Sequence, residues 1–468
     1  MKLSDDILLT IFHYYLDASP RIWLKLVHIC RRWRRIVFKS QRSLYLQLFC
    51  TPGTPVLKTL SVWPALPIVV EYGGSPTSDL PVPKDDYDNV VAALKHSNRV
   101  SSISLTVTKP LLEKFPAIWK PFSELENLVL MCSNDVPLTL SSTFRWGSRL
   151  HTLHLTRVTI PPLLQLLFLS TGLVDLQLHE IPEVGHIYPE TFATALSRMS
   201  HLRILSLHVL STAVPYYLYY VGKPRQPRER VTLLALRKLK YRGTSMYLDS
   251  LAARIDAPRL SNIDITLSSH PPPVERPQLG QFISRISMQK SYRRADILFS
   301  ENTISISFTQ PESTTCLELK VACKSFSRQL AHITWICNSL SPVLFGIEHL
   351  RVCATRPKSG YDYSHHGDHW QNVLSLFRST KWAYVTRGLS TYILIALQPP
   401  SQQRPRHRLL PALHKLCIQE PEPSWQKAVE SFIHSRLLSG HIIAVEYERL
   451  RINELHGTGT AFFRCQVL

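Results

Sequence analysis

Two hydrophobic rhythms organise the chain. Near the N-terminus, Ile7, Leu8, Ile11, Phe12, Tyr15 and Leu16 recur at three- and four-residue steps, the spacing of a helix with a wide apolar stripe. Ser4 is placed to cap it, and Asp5 and Asp6 complement the positive end of the helix dipole. Asp17, Ser19 and Pro20 predict its end. A second apolar helix is expected over about 22–30 and a third through Trp33, Ile36 and Val37, among Arg31, Arg32, Arg34 and Arg35. A unit of about 45 residues is marginal alone, so its surplus apolar face predicts a partner. From about residue 100 the rhythm becomes Leu-x-x-Leu-x-Leu.

That second pattern resembles the strand signature of a leucine-rich repeat. It recurs at Val100/Ile103/Leu105, Leu125/Leu128/Leu130, Leu150/Leu153/Leu155, Leu173/Leu176/Leu178, Leu202/Leu205/Leu207, Leu236/Leu239/Tyr241 and Leu260/Ile263/Ile265. The first positions lie 23 to 34 residues apart. Segments 162–169, 190–199 and 245–255 are expected to supply outer helices, so that neighbouring repeats share one core. After Leu267 the cadence breaks. A Pro-rich stretch at 269–277, a helix over 278–289, alternating strands at 304–308 and 317–321 and a helix over 327–339 are predicted there. The cadence resumes at Ile347/Leu350/Val352, weakly at Thr380/Ala383/Val385, and at Leu413/Leu416/Ile418. A helix over 425–438 and a strand over 441–447 are expected to close the array.

The opening reads Leu3-x-x-Asp6-Ile7-Leu8-x-x-Ile11-Phe12, followed by Trp23-Leu24-x-Leu26 and Cys30-Arg-Arg-Trp33-Arg. This stretch resembles an F-box, the module by which substrate receptors dock on the Skp adaptor of SCF ubiquitin ligases. Ser4 stands where that family usually has proline. The longer chain is also similar to a large group of F-box proteins expanded in mushroom-forming fungi. The supporting stretches are Val62-Trp-Pro-Ala-Leu-Pro-Ile-Val69, Asp88-Asn-Val-Val-Ala-Ala-Leu94, those at 248–258 and 438–441, and Gln278-Leu-Gly-Gln-Phe-Ile-Ser284. The resemblance implies a degenerate leucine-rich-repeat region after the F-box and no particular target.

Composition changes this picture little. Lysine and arginine number 54 against 34 acidic residues, a formal charge of +20. Such an excess attracts nucleic acid, anionic membrane or an acidic protein. Its densest runs are 31–35 and 223–230, each read as solvated surface or as a nuclear address. Tyr216, Tyr217, Tyr219 and Tyr220 precede the second run, leaving three readings: nucleic-acid contact, a locally packed loop, or part of a target-binding face. Nine scattered cysteines without a Cys-x-x-Cys pair predict neither a disulfide framework nor a zinc site of ordinary spacing. No apolar run reaches the roughly 20 residues of a membrane span, and Asp5 and Asp6 interrupt any signal peptide. A soluble cytoplasmic or nuclear protein is expected.

Candidate chemistry is sparse. His365, His366, Asp368 and His369 could ligate zinc on paper, but Gly360 and Gly367 mark a solvated loop. No phosphate-cradling glycine motif or nucleophile elbow occurs, and Gly457-Thr-Gly-Thr460 reads as a turn. Cys50, Cys132 and Cys417 have no assignable base. No cofactor, metal or catalytic residue is expected.

The sequence therefore predicts an α/β repeat protein: an all-α three-helix F-box at 1–48, a linker or lead-in segment at 49–95, and a degenerate leucine-rich-repeat solenoid at 96–468. Within the solenoid, a curved parallel sheet with outer helices, 96–267 is most regular, 268–420 irregular and 421–468 a cap. The function expected is substrate recognition in an SCF-type ligase, without enzymatic activity of its own. The adaptor face is expected to draw on Leu3, Ile7, Leu8, Ile11, Phe12, Leu24, Val27, Cys30, Trp33 and Val37. Sequence does not say which of these instead hold the helices together. Partners would be a Skp-type adaptor, through it a cullin, and an unknown protein target. The rivals are a scaffold without ubiquitination and a basic nucleic-acid-associated repeat protein. Leu8→Asp with Trp33→Ala is expected to abolish adaptor binding without unfolding residues beyond about 95.

Overall fold

A computed structural model of the chain describes residues 3–73, 86–114, 120–132, 137–161, 163–181, 187–209, 230–268, 277–287, 292–310, 316–355, 367–386, 389–398, 409–419, 425–437 and 442–448. The chain forms two compact units, Met1–Ile204 and Leu205–Leu468. An N-terminal helical region precedes strand–helix repeats that build a large sheet.

In the first unit, α1 (Asp5–Ala18) begins at Ser4, whose hydroxyl accepts the Ile7 N–H at 3.3 Å. Serine thus performs the capping expected of it. A 3₁₀ turn at Pro20–Ile22 leads into α2 (Trp23–Ile29), and Cys30 caps α3 (Arg31–Lys39) through its sulfur. The stretch expected as a linker or lead-in carries the strands Leu48–Cys50 and Ile68–Tyr72 and the helices Val56–Val62 and Asp86–Leu94. The sheet therefore starts at Leu48. The strands Leu48–Cys50, Ile68–Tyr72, Val100–Val107, Asn127–Cys132, Thr152–Thr156 and Asp175–His179 pair side by side, all parallel. Parallel neighbours need crossover connections, and the helices lie in those connections: Leu163–Leu169, for instance, joins the last two strands.

The leucine cadence becomes a set of buried columns. Ile103, Leu128, Leu153 and Leu176 stand in register, as do Leu105, Leu130, Leu155 and Leu178, and all eight are buried. The first leucine of each motif, such as Leu125, Leu150 and Leu173, is buried just before its strand. The outer helices expected over 162–169, 190–199 and 245–255 span Leu163–Leu169, Pro189–Leu196 and Ser245–Ala252.

The second unit explains the broken cadence. Lys238–Gly243 pairs parallel with Asn262–Leu267, which then bonds to Cys316–Ala322 and not to the next strand in sequence, Arg294–Phe299. Cys316–Ala322 runs antiparallel to Thr303–Thr309, which runs antiparallel to Arg294–Phe299. Arg294–Phe299 restores the parallel run through His349–Ala354, Trp382–Val385, Lys415–Gln419 and Ala444–Glu448. One reversed strand has been inserted, and a turn of a few residues closed by the Ser300 N–H to Thr303 carbonyl bond (2.9 Å) makes it. Such a turn joins only antiparallel neighbours. The weak Thr380 position is buried like its leucine counterparts, and its hydroxyl donates to the Ile347 carbonyl at 3.2 Å. The closing helix spans Trp425–Leu437, while the strand expected over 441–447 is Ala444–Glu448.

Helices in this unit are joined by specific contacts. Asp249, buried in Ser245–Ala252, accepts the Leu279 N–H at 2.9 Å and so caps Pro277–Ser287. Gly280 of that helix meets Phe326–Ser339 so closely that a Cβ would lie 2.8 Å from the Ser339 carbonyl oxygen. Gly280→Val is therefore expected to cost about 1–3 kcal/mol, read as a lower melting midpoint, whereas the exposed Gln281→Ala is expected to leave it unchanged. His332, on the same long helix, is 5% exposed. Burial, with Arg328 second, lowers its pKa from 6.5. The unfolded chain thus takes up a proton that the folded state refuses, so this contribution is present above about pH 6.5 and fades as pH falls below it. The melting midpoint is expected to drop between pH 7.5 and 5.5, and less steeply in His332→Gln; equal slopes would contradict the assignment.

Candidate functional site

The three N-terminal helices divide their apolar residues between two faces. On α1, at 100° per residue, Leu8, Phe12 and Leu16 form one band, and Ile7, Ile11 and Tyr14 form another about 130° away. The first band is buried together with Trp23, Leu26, Val27, Ile36 and Val37. In the second, Ile7 is 49% exposed, Tyr14 75% and Ile11 half-buried; outside that band Leu3, Tyr15 and Ile29 are also exposed.

The ten positions expected at the adaptor face are thereby partitioned. Leu8, Phe12, Val27 and Val37 are interior. Ile11, Leu24 and Trp33 are half-buried, and Leu3, Ile7 and Cys30 are exposed. The Trp33 ring packs on Phe12 at 4.9 Å between centroids, which joins α3 to α1. Tyr14, Tyr15 and Ile29 were missed by the sequence reading as candidates for an exposed face. Helical angle relative to Leu8 and Phe12 was an available signal for Tyr14, whereas Tyr15 lies within about 20° of Leu8 and its exposure was not legible from spacing.

Arginines fix the helices' mutual placement. Arg32 donates to the Asp5 carboxylate at 2.6 and 2.8 Å and to the Leu3 carbonyl at 2.5 Å. Arg34 donates to the Val27 carbonyl at 2.9 Å, satisfying an end group of α2. The run 31–35, expected as a solvated surface or an address, is thus partly structural. Arg31 and Arg35 stay exposed, with Arg35 3.9 Å from Asp5.

Beneath the helices the core continues into the sheet. Trp23 is fully buried, and its Nε1–H donates to the Gln47 carbonyl at 2.9 Å. Its ring meets Trp63 at 5.2 Å and Phe38 at 6.4 Å. Leu44, Leu46, Leu48 and Leu66 join the same cluster. The conspicuous Trp63 of the 62–69 stretch is therefore a packing residue that ties helices to sheet.

The other candidate chemistry falls on buried cysteines or largely outside the described residues. Among the described residues no group of three histidine, cysteine or acidic side chains could hold a metal ion. His365, His366 and the Asp368 side chain lie outside the described residues, as do 216–220, 223–229 and 457–460. Cys50, Cys132 and Cys417 are buried. Burial pushes the Cys50 thiol up to about 11, so it is protonated at neutral pH. Among the described residues no helix is long and apolar enough to cross a membrane.

The chain matches no protein-family model and no curated protein, so its function is argued from the geometry of this helical face and the sheet behind it.

Proposed function

We propose that the chain is the substrate-recognition subunit of an SCF-type ubiquitin ligase. In this reading the three-helix unit is an F-box that docks on a Skp-type adaptor, and the repeat region is a leucine-rich-repeat solenoid that presents a protein target. The observation that carries it is the apolar band of α1 left open beside a filled core, on the segment whose motif residues resemble an F-box. Leu3 and Ile7 are the exposed anchors; of the other candidate positions Cys30 is exposed and Ile11, Leu24 and Trp33 are half-buried. Apolar anchors of this kind, closed off from water by a partner, carry most of an interface's energy.

Catalysis by such a subunit is positional. Tethering a target near a charged ubiquitin-conjugating enzyme raises its effective concentration there without any new bond-making group. The adaptor would in turn connect the chain to a cullin. Purified full-length chain mixed with purified Skp-type adaptor at micromolar concentrations should co-elute in gel filtration. Separate elution removes the proposal. Co-elution with the adaptor but no recruitment of cullin would favour a scaffold role instead.

A further inference from the structure

We infer that the open face of the second unit's sheet carries a binding column for an extended acidic peptide, formed by Lys238, Lys240 and Arg242. That such a peptide belongs to a degradation target rests on the receptor reading; the binding itself does not. The three residues alternate along the strand Lys238–Gly243 with the buried Leu239 and Tyr241, so all three point to one face, and all are exposed.

Other basic residues on that face of the sheet behave differently. Lys320 pairs with Glu318 at 2.8 Å, Arg294 with Asp296 at 3.1 Å and Lys415 with Glu446 at 2.7 Å. Arg351 stacks over the Tyr384 ring at 5.1 Å. Among the described residues, Lys238, Lys240 and Arg242 have no carboxylate within 4 Å and no ring partner, although Asp264 stands in register opposite Lys240. Among the described residues, the column thus holds three adjacent cations without an ion-pair partner.

The spacing selects the ligand. Alternate residues of a strand repeat at about 6.6 Å, and so do alternate side chains of an extended peptide. A peptide with acidic residues at every second position sets its carboxylates over the three cations while its remaining side chains point away. A stacked nucleic-acid strand carries a phosphate about every 3.4 Å, twice the charge density of the column, so every second phosphate is left without a cation. Asp264 and then Glu318 occupy the next two strands in register with Lys240. The unmatched phosphates of a polyanion would meet these carboxylates with like charge, whereas the alternate positions of the peptide carry none.

The test uses the full chain and fluorescein-labelled, end-capped peptides at low ionic strength. One peptide carries three glutamates at alternate positions in a serine background. The control carries the same three at every third position, which an extended chain divides between its faces. Anisotropy should show tighter binding of the alternating peptide, weakened about tenfold by Lys240→Glu with Arg242→Glu and not weakened by Asp264→Asn. Equal binding of both peptides, no effect of the double variant, or tighter binding of an oligothymidine of equal charge would overturn the inference. These side chains are exposed, so unchanged melting confirms that each variant is folded. Adaptor co-elution, measured on the same samples, reports the receptor reading separately: its loss with peptide binding intact would remove the ligase role and leave the binding column.

Discussion

Replacing Leu3 and Ile7 together with aspartate is expected to abolish co-elution with a Skp-type adaptor while leaving the chain's melting midpoint almost unchanged. Both side chains are half in water already, and exposed substitutions cost the fold within about 0.5 kcal/mol. At an interface the same change places two charges where apolar anchors were. Hot-spot truncations cost about 2 kcal/mol or more each, so an affinity loss of at least about a hundredfold follows. Retained co-elution of the double variant would exclude this face as the docking surface. Leu8→Asp, the change that sequence reasoning alone favours, is a poor probe. Leu8 is 4% exposed and belongs to the core that Phe12, Val27 and Val37 share. Aspartate there puts a carboxylate into an apolar site, and burying an unpaired charge unfolds what surrounds it. Loss of binding in that variant would report a lost fold.

Trp23→Ala is the substitution expected to damage the first unit most. It removes a fully buried indole and its hydrogen bond to the Gln47 carbonyl, and leaves Trp63 and Phe38 facing a cavity. Large aromatic truncations of this kind cost about 3–5 kcal/mol. Limited trypsin digestion checks it, because the arginines of α3 become substrates once the helices open. Rapid cleavage within 31–35 is expected in the variant and slow cleavage in the parent; equal rates would show that Trp23 does not hold the helices. The same cluster explains why a cut at residue 48 is expected to yield a poor fragment. Such a cut divides Leu44, Leu46 and Leu48 from Leu66, Leu60 and Trp63, which pack together. It also splits the strand Leu48–Cys50 from its own start.

Much of the architecture was legible because periodicity and burial are linked directly. The spacing of Leu128 and Leu130, then of Leu153 and Leu155, states that each strand has one apolar face, and those residues are buried in register. Ser4, Asp5 and Asp6 announced the start of α1 for an equally local reason. The reversed strand Thr303–Thr309 was not legible. Its alternation marks it as a strand, but alternation reads the same in either direction, and pairing is decided by the turn at Ser300 and by which edge is free.

The candidate site shows the same division within one helix. Sequence established that α1 has more apolar surface than a short helical unit needs, and which residues compose it. Tertiary structure alone decided that Leu8 and Phe12 face inward, that Leu3 and Ile7 stay in water, and that Arg32 and Arg34 are fastenings and not a free basic patch. The physical reason is that a pattern of residues fixes the direction in which a side chain leaves its own backbone, whereas burial and charge pairing depend on what another part of the chain brings to meet it.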